Sequence, residues 1–150
     1  MKAVIQRVKH ASVTVKGIKI AAIKQGVLVL LGISERDTND DLIWLSKKIA
    51  NLRIFNDEND VMNESLISVA GDAIVVSQFT LQASTKKGNR PSYIKAAKPE
   101  IAVPIYESFV KQFEQDLGKK VGTGEFGADM KVELLNDGPV TIVIDTENKN

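Results

Sequence analysis

The sequence predicts a one-domain sheet protein of the α/β or α+β class with two main helices. Three observations predict it. Runs at 1–8, 12–15, 18–23, 27–33, 66–69, 73–81, 129–135 and 140–145 are either alternating or continuously apolar, as strands are. The segments 38–53 and 99–117 instead repeat apolar residues every three or four positions, the signature of a helix with one buried face. The order of strands, helix, strands, helix, strands fills 150 residues with no linker, repeat or low-complexity segment.

Each element has its own justification. The first run places Ala3, Ile5 and Arg7 on one face and Val4, Gln6 and Val8 on the other, and ends at a turn over Lys9-His10-Ala11. The runs 12–15 and 18–23 form a hairpin around Gly17, and Gln25-Gly26 is a turn. Val27 to Ile33 is apolar throughout, so it reads as a strand covered on both faces. Thr38 is the N-cap of the first helix, with acids following it and Leu42, Leu45, Ile49 and Leu52 on one stripe. Trp44 covers the edge of the core. The acidic loop 56–60 lacks the glycine and glutamate spacing of a calcium loop and reads as a solvated turn. The runs 66–69 and 73–81 flank a turn at Gly71-Asp72. The loop after them carries Lys86, Lys87 and Arg90, either simply solvated or able to meet phosphates. Pro99 opens the second helix, Pro104 sits in its first turn or kinks it, and Gly118 caps it. Asn136-Asp137-Gly138 reads as a hairpin turn between the last two strands, with Pro139 at the start of the final one.

Composition narrows the chemistry. Apolar residues make up 43%, charged residues 26%, and the net charge is +1, so no general nucleic-acid coat is expected. There is no cysteine and only one histidine, His10. That excludes a disulfide scaffold, a thiolate nucleophile and cysteine or multi-histidine metal sites. No metal and no cofactor is expected. No apolar run approaches the ~18 residues of a membrane span, and Met1-Lys2 leads straight into a strand pattern with no signal peptide, so the cytoplasm is the expected location. A Ser-His-Asp triad would have to use His10, which nothing ties to a serine. The glycine-rich run 122–128 has no Gly-Lys-Ser/Thr ending and is not a phosphate loop.

Two stretches stand apart. Ser77-Gln78-Phe79-Thr80 ends an apolar strand with hydroxyls, an amide and an aromatic ring, at the end where α/β sheets hold ligands. The other is Asn136-Asp137-Gly138-Pro139-Val140-Thr141, whose Gly-Pro bond is one that can be cis.

Together, Ser77-Gln78-Phe79-Thr80-Leu81 and Asn136-Asp137-Gly138-Pro139-Val140-Thr141 resemble the two signature motifs of the D-aminoacyl-tRNA deacylases. The opening Met1-Lys2-Ala3-Val4-Ile5-Gln6-Arg7-Val8, the run Leu28-Val29-Leu30-Leu31-Gly32, Asn51-Leu52-Arg53-Ile54-Phe55, Met62-Asn63 and Arg90-Pro91-Ser92 fit as well, so the resemblance covers almost the whole chain. Asp60-Val61 and Tyr93 depart from the family's usual Gly-Lys and Phe. The resemblance implies mixed β-sheets packed in layers with the helices (β/β/α) and a homodimer with active sites at the interface. It implies hydrolysis of the ester between a D-amino acid, or glycine on a mischarged tRNA, and the 3′-terminal adenosine.

In that picture Ser77, Gln78, Phe79 and Thr80 line the pocket, with the Phe79 amide near the reacting carbonyl. Gly138-Pro139, joined by a cis bond, enters the partner's site, and its carbonyls occupy the space an L-side chain would need. Arg7 holds this loop, with Asn136 and Thr141 beside it. Lys86, Lys87 and Arg90 are candidate tRNA contacts. Excluding the L-side chain admits any D-residue. A ribose hydroxyl of the substrate assists proton transfer, and the protein supplies positioning and oxyanion stabilisation. Two alternatives stand beside this: an esterase with Thr80 as nucleophile, and a dimeric protein that binds nucleotides or RNA ends without turnover.

Overall fold

The structure, a computed structural model, describes residues 1–149. The polar tail expected from Glu147 includes Asn150, which lies outside the described residues. One mixed six-stranded sheet runs β2-β1-β3-β6-β7, with β8 on the outer side of β1. The strands are β1 (Lys2–Val15), β2 (Ile18–Ile23), β3 (Gly26–Gly32), β6 (Asp72–Ser77), β7 (Gly122–Thr123) and β8 (Met130–Asp145). Two helices, α1 (Asn39–Asn51) and α2 (Pro99–Leu117), lie on one face. A small separate hairpin pairs β4 (Phe55–Asn56) with β5 (Met62–Glu64).

The two faces of the sheet bury different sets of side chains. Ala3, Ile5, Val27, Val29 and Leu31 meet Leu42, Leu45 and Ile49 of α1 and Phe109 and Phe113 of α2. Val8, Val13, Leu28, Ile74 and Val76 face the other way and pack with Met130, Val132 and Leu134, so the curled sheet nearly closes on itself while its edges stay unpaired among the described residues. This is the expected layering of sheet, sheet and helix. Each fully buried Leu or Ile of the α1 stripe contributes ~2 kcal/mol by area. Ser46 Oγ donates to Asp116 Oδ2 at 2.6 Å and ties the helices together. Trp44 packs at the margin of the helix-side core, as expected, with Lys48 and Lys149 ammonium groups 5.5 and 5.1 Å from its ring centre.

Several expectations hold. The hairpin at Gly17 forms, with Lys16 and Gly17 both at positive φ. Thr38 caps α1 in a capping box with Asp41. Gly118 ends α2 in the left-handed conformation. The acidic loop is a turn in which Asp57 Oδ1 accepts from the Asn59 and Val61 N–H groups. Pro104 departs from its expectation: it lies inside α2, past the first turn, and the helix continues through it.

Three further expectations do not hold. Lys9-His10-Ala11 is not a turn: β1 runs unbroken through it, with both polar residues exposed at a register shift against β8. Residues 66–69 are not a strand. They form a tight turn in which Ser65 Oγ accepts from the Ser68 N–H, Val69 N–H bonds Ser65 O, and Ala70 adopts positive φ. Nor is Asn136-Asp137-Gly138 a hairpin. The chain keeps its direction through it, and both halves of β8 pair antiparallel with the same strand, Leu134 opposite Ala11 and Ile142 opposite Ile5. Asn136 faces Val8 and Thr141 faces Gln6, so residues 137–140 bow out opposite Arg7 alone. Turn residues mark a departure from the ladder, and a wide bulge is as good a departure as a reversal.

Candidate active site

Parallel pairing fixes where the strand ends fall. β3 and β6 run side by side, with Leu31 opposite Ser77, so both reach the same edge of the sheet. There the Gln78 N–H bonds Leu31 O at 2.8 Å, and the chain turns into a 3-10 turn over Phe79–Gln82. The strand expected to reach residue 81 therefore stops at Ser77. Gly32 is the reason the turn can lie so low: a Cβ there would stand 2.8 Å from Leu81 Cβ and 2.9 Å from Gln78 O. The buried Gln82 amide donates to Gly32 O at 3.0 Å and pins the far end.

This turn presents main-chain donors. The Phe79 and Thr80 N–H groups open it and donate to no acceptor among the described residues. Gln78 Nε2 donates to Thr80 Oγ1 at 2.6 Å. Phe79 is 55% exposed and meets the edge of Tyr93, with ring centres 5.2 Å apart. A cleft of about 580 Å³ opens beside it. Ser77, Gln78 and Phe79 form one wall, Tyr93 and Lys98 another, and Phe126, Met130 and Val132 the apolar floor. Tyr93, Lys98 and the floor were not recognisable as site residues in the sequence. The floor comes from the glycine-rich run and the start of β8, whose patterns predict loop and strand but not which strand ends they meet.

The second motif lies elsewhere. Arg7 is 7% exposed beneath the bulge. Its Nη1 donates to Ile54 O at 2.7 Å and its Nε to Asp137 O at 3.1 Å. Asn136 Nδ2 donates to both Arg7 O and Val140 O at 3.0 Å, closing the neck of the loop, and Thr141 Oγ1 donates to Asn136 Oδ1 at 3.4 Å. The Gly138-Pro139 bond is cis, and both residues are exposed. Register places this bulge far from the cleft of its own chain. Arg7 is level with Val27 and Ala73, so Ser77 lies three strands across and four residues along. At ordinary strand spacing and rise that is a path of about 19 Å along the surface of the sheet.

Lys86, Lys87 and Arg90 are exposed on a loop closed by paired Ser84 and Ser92 backbones at 2.8 and 2.9 Å, outside the cleft. His10 is exposed at the opposite end of the sheet from Ser77. No group of three His, Cys, Asp or Glu gathers among the described residues. No helix there is long and apolar enough to cross a membrane, which says nothing of strands.

A family model described as D-Tyr-tRNA(Tyr) deacylase matches residues 4–145. A D-aminoacyl-tRNA deacylase of Bacteroides fragilis (strain YCH46) is 66% identical over 149 residues, covering 99% of each chain. A solved structure named c-Myc DNA Unwinding Element Binding Protein superposes with a TM-score of 0.91 at 44% identity, covering 97% of this chain and 98% of that one. A second, described as a probable eukaryotic D-amino acid tRNA deacylase, superposes at 0.82 with 17% identity over 95% of this chain and 97% of that one, a likeness of fold.

Proposed function

Because the chain belongs to the D-Tyr-tRNA(Tyr) deacylase family, an ester hydrolase family, we propose that residues 77–80 carry its chemistry and that a second copy completes the site. The substrate is a D-aminoacyl ester, or a glycyl ester on a mischarged tRNA, at the 3′-terminal adenosine. The observation that carries this reading is the pair of free N–H groups at Phe79 and Thr80, beside a cleft with an apolar floor. Such donors suit the oxygen that gains charge when an ester carbonyl is attacked. Water attacks the ester carbonyl, and the adjacent ribose hydroxyl of the substrate assists proton transfer to the leaving 3′ oxygen. Thr80 is ill-placed as a nucleophile: its hydroxyl pairs with the Gln78 carboxamide, which is not a base.

Selectivity in this reading comes from the bulge. Set three strands across the sheet and four residues along it from Ser77, Gly138-Pro139 serves the cleft of another copy in this reading. Its carbonyls then take the volume of an L-side chain, while Arg7 and Asn136 hold it from below. Lys86, Lys87 and Arg90, exposed on their loop, meet RNA near the acceptor end in this reading. The enzyme works in the cytoplasm, where charged tRNA is used. A second reading draws on the relative named for DNA-element binding, and expects nucleic-acid binding without turnover.

The test is hydrolysis of D-Tyr-tRNA and L-Tyr-tRNA by purified protein. Release of D-tyrosine alone is the expected result. Equal rates on both contradict the selectivity argument, and binding without release favours the second reading. Thr80→Ala should lower kcat only modestly; its abolition with intact binding would favour the covalent route.

A further inference from the structure

A second groove, of about 220 Å³, lies next to the catalytic turn. It is lined by Lys2, Arg36 and Lys95, together with Ser34, Gln82 and the 86%-exposed Ile94. Gln82 belongs to the same 3-10 turn as Phe79, and Ile94 and Lys95 directly follow Tyr93 of the cleft wall. Three distant stretches are thus brought together here. The start of β1 supplies Lys2, the loop after β3 supplies Arg36, and the loop before α2 supplies Lys95. A backbone pair between Ser34 and Ala96 clips the last two together.

The charges are unspent. None of Lys2, Arg36 and Lys95 forms an ion pair among the described residues, although Glu35 and Glu147 line the same groove. Three unpaired cations drawn from separate stretches, beside a site that handles an RNA end, offer charge to a phosphodiester backbone.

We propose that this groove holds the phosphodiester backbone of the tRNA acceptor strand as its 3′ end enters the cleft. The inference rests on the substrate class above and names the surface that grips it. Phosphate contacts there position the strand and carry no sequence information, so they act on KM and leave the chemical step alone. The two carboxylates weaken the grip and favour release.

The test compares Arg36→Glu/Lys95→Glu with the unaltered protein on D-Tyr-tRNA and on a short D-tyrosyl adenosine ester that lacks the strand. KM for the tRNA should rise roughly tenfold at constant kcat, with a salt dependence shallower by about 2 in logarithmic slope. The short ester should be cleaved as before. Glu35→Gln/Glu147→Gln should lower KM for the tRNA. Lys47→Glu/Lys48→Glu on α1 matches the change in net charge and should leave KM unaltered. Anisotropy with uncharged tRNA makes the same comparison without catalysis, so the groove is tested even if the deacylase reading fails. Unchanged tRNA affinity in the Arg36/Lys95 variant, or equal loss on tRNA and short ester, overturns the proposal.

Discussion

Arg7 ties two elements together and, in the proposed reading, holds the bulge on which selectivity rests. Its guanidinium is buried and bonds two main-chain carbonyls on different elements, Ile54 O and Asp137 O. Arg7→Ala strands both acceptors, each worth about 1–3 kcal/mol. Urea unfolding should show a loss of that order, and cleavage of L-Tyr-tRNA should rise as the bulge loosens. Arg7→Lys should not rescue selectivity, because an ammonium cannot span both carbonyls. Arg7 could be singled out in the sequence as the polar residue on an apolar strand. Its partners could not, since main-chain acceptors have no sequence signature.

Tyr106 makes a second test at this scale. Burial pushes its phenol up to about 12 from the ordinary 10.0, with the Gly124 N–H pulling the other way. A raised value means the contribution is whole below pH 10 and is lost as pH climbs through the folded value. Unfolding free energy should therefore fall between pH 10 and 12 more steeply in the wild type than in Tyr106→Phe. At neutral pH the variant should be less stable by ~1 kcal/mol, having lost the bond to Val75 O.

At the scale of elements, α1 and the 3-10 turn rest on short-range devices. Asp41 loses some ground to burial, but the Thr38 N–H and hydroxyl and Lys149 outweigh it and hold its carboxyl below the ordinary 3.8. A depressed carboxyl contributes fully above pH 3.8 and loses that contribution as pH falls through the folded value. The stability gap between wild type and Asp41→Asn should accordingly close below about pH 4, as followed by circular dichroism. The 3-10 turn depends on Gly32. Gly32→Ala should push Gln78 and Leu81 outward, costing about 1–3 kcal/mol of stability and more activity than that loss explains. The cap of α1 was legible because capping chemistry lies within four residues. The bulge in β8 was not, because glycine and proline mark an interrupted ladder whether or not the chain turns back, and only pairing with β1 decides between them.

At the scale of the molecule, β8 is the exposed margin. It pairs with β1 on one side, and its other edge is unpaired among the described residues. Leu135 and Val143 stand 50% and 70% exposed along it. Long, apolar, unpaired edges are ordinarily covered, and a second copy is the proposed cover. Leu135→Lys/Val143→Lys should yield a monomer by sedimentation, folded but without chiral selectivity. The layered sheet and helices were legible from periodicity. The cleft was not, because strands ending together is a consequence of parallel pairing between segments 46 residues apart, Leu31 with Ser77.

The central claim is that one copy's bulge completes another's cleft. It is tested most directly by co-producing two inactive chains, one carrying Phe79→Pro to remove a catalytic N–H, the other Gly138→Trp, whose ring would fill the partner's cleft from the bulge and shut substrate out. Random pairing makes half the dimers mixed, each with one intact site, so selective D-Tyr-tRNA hydrolysis should return to about a quarter of the wild-type rate. Activity no greater than that of the two inactive proteins measured separately contradicts a shared site.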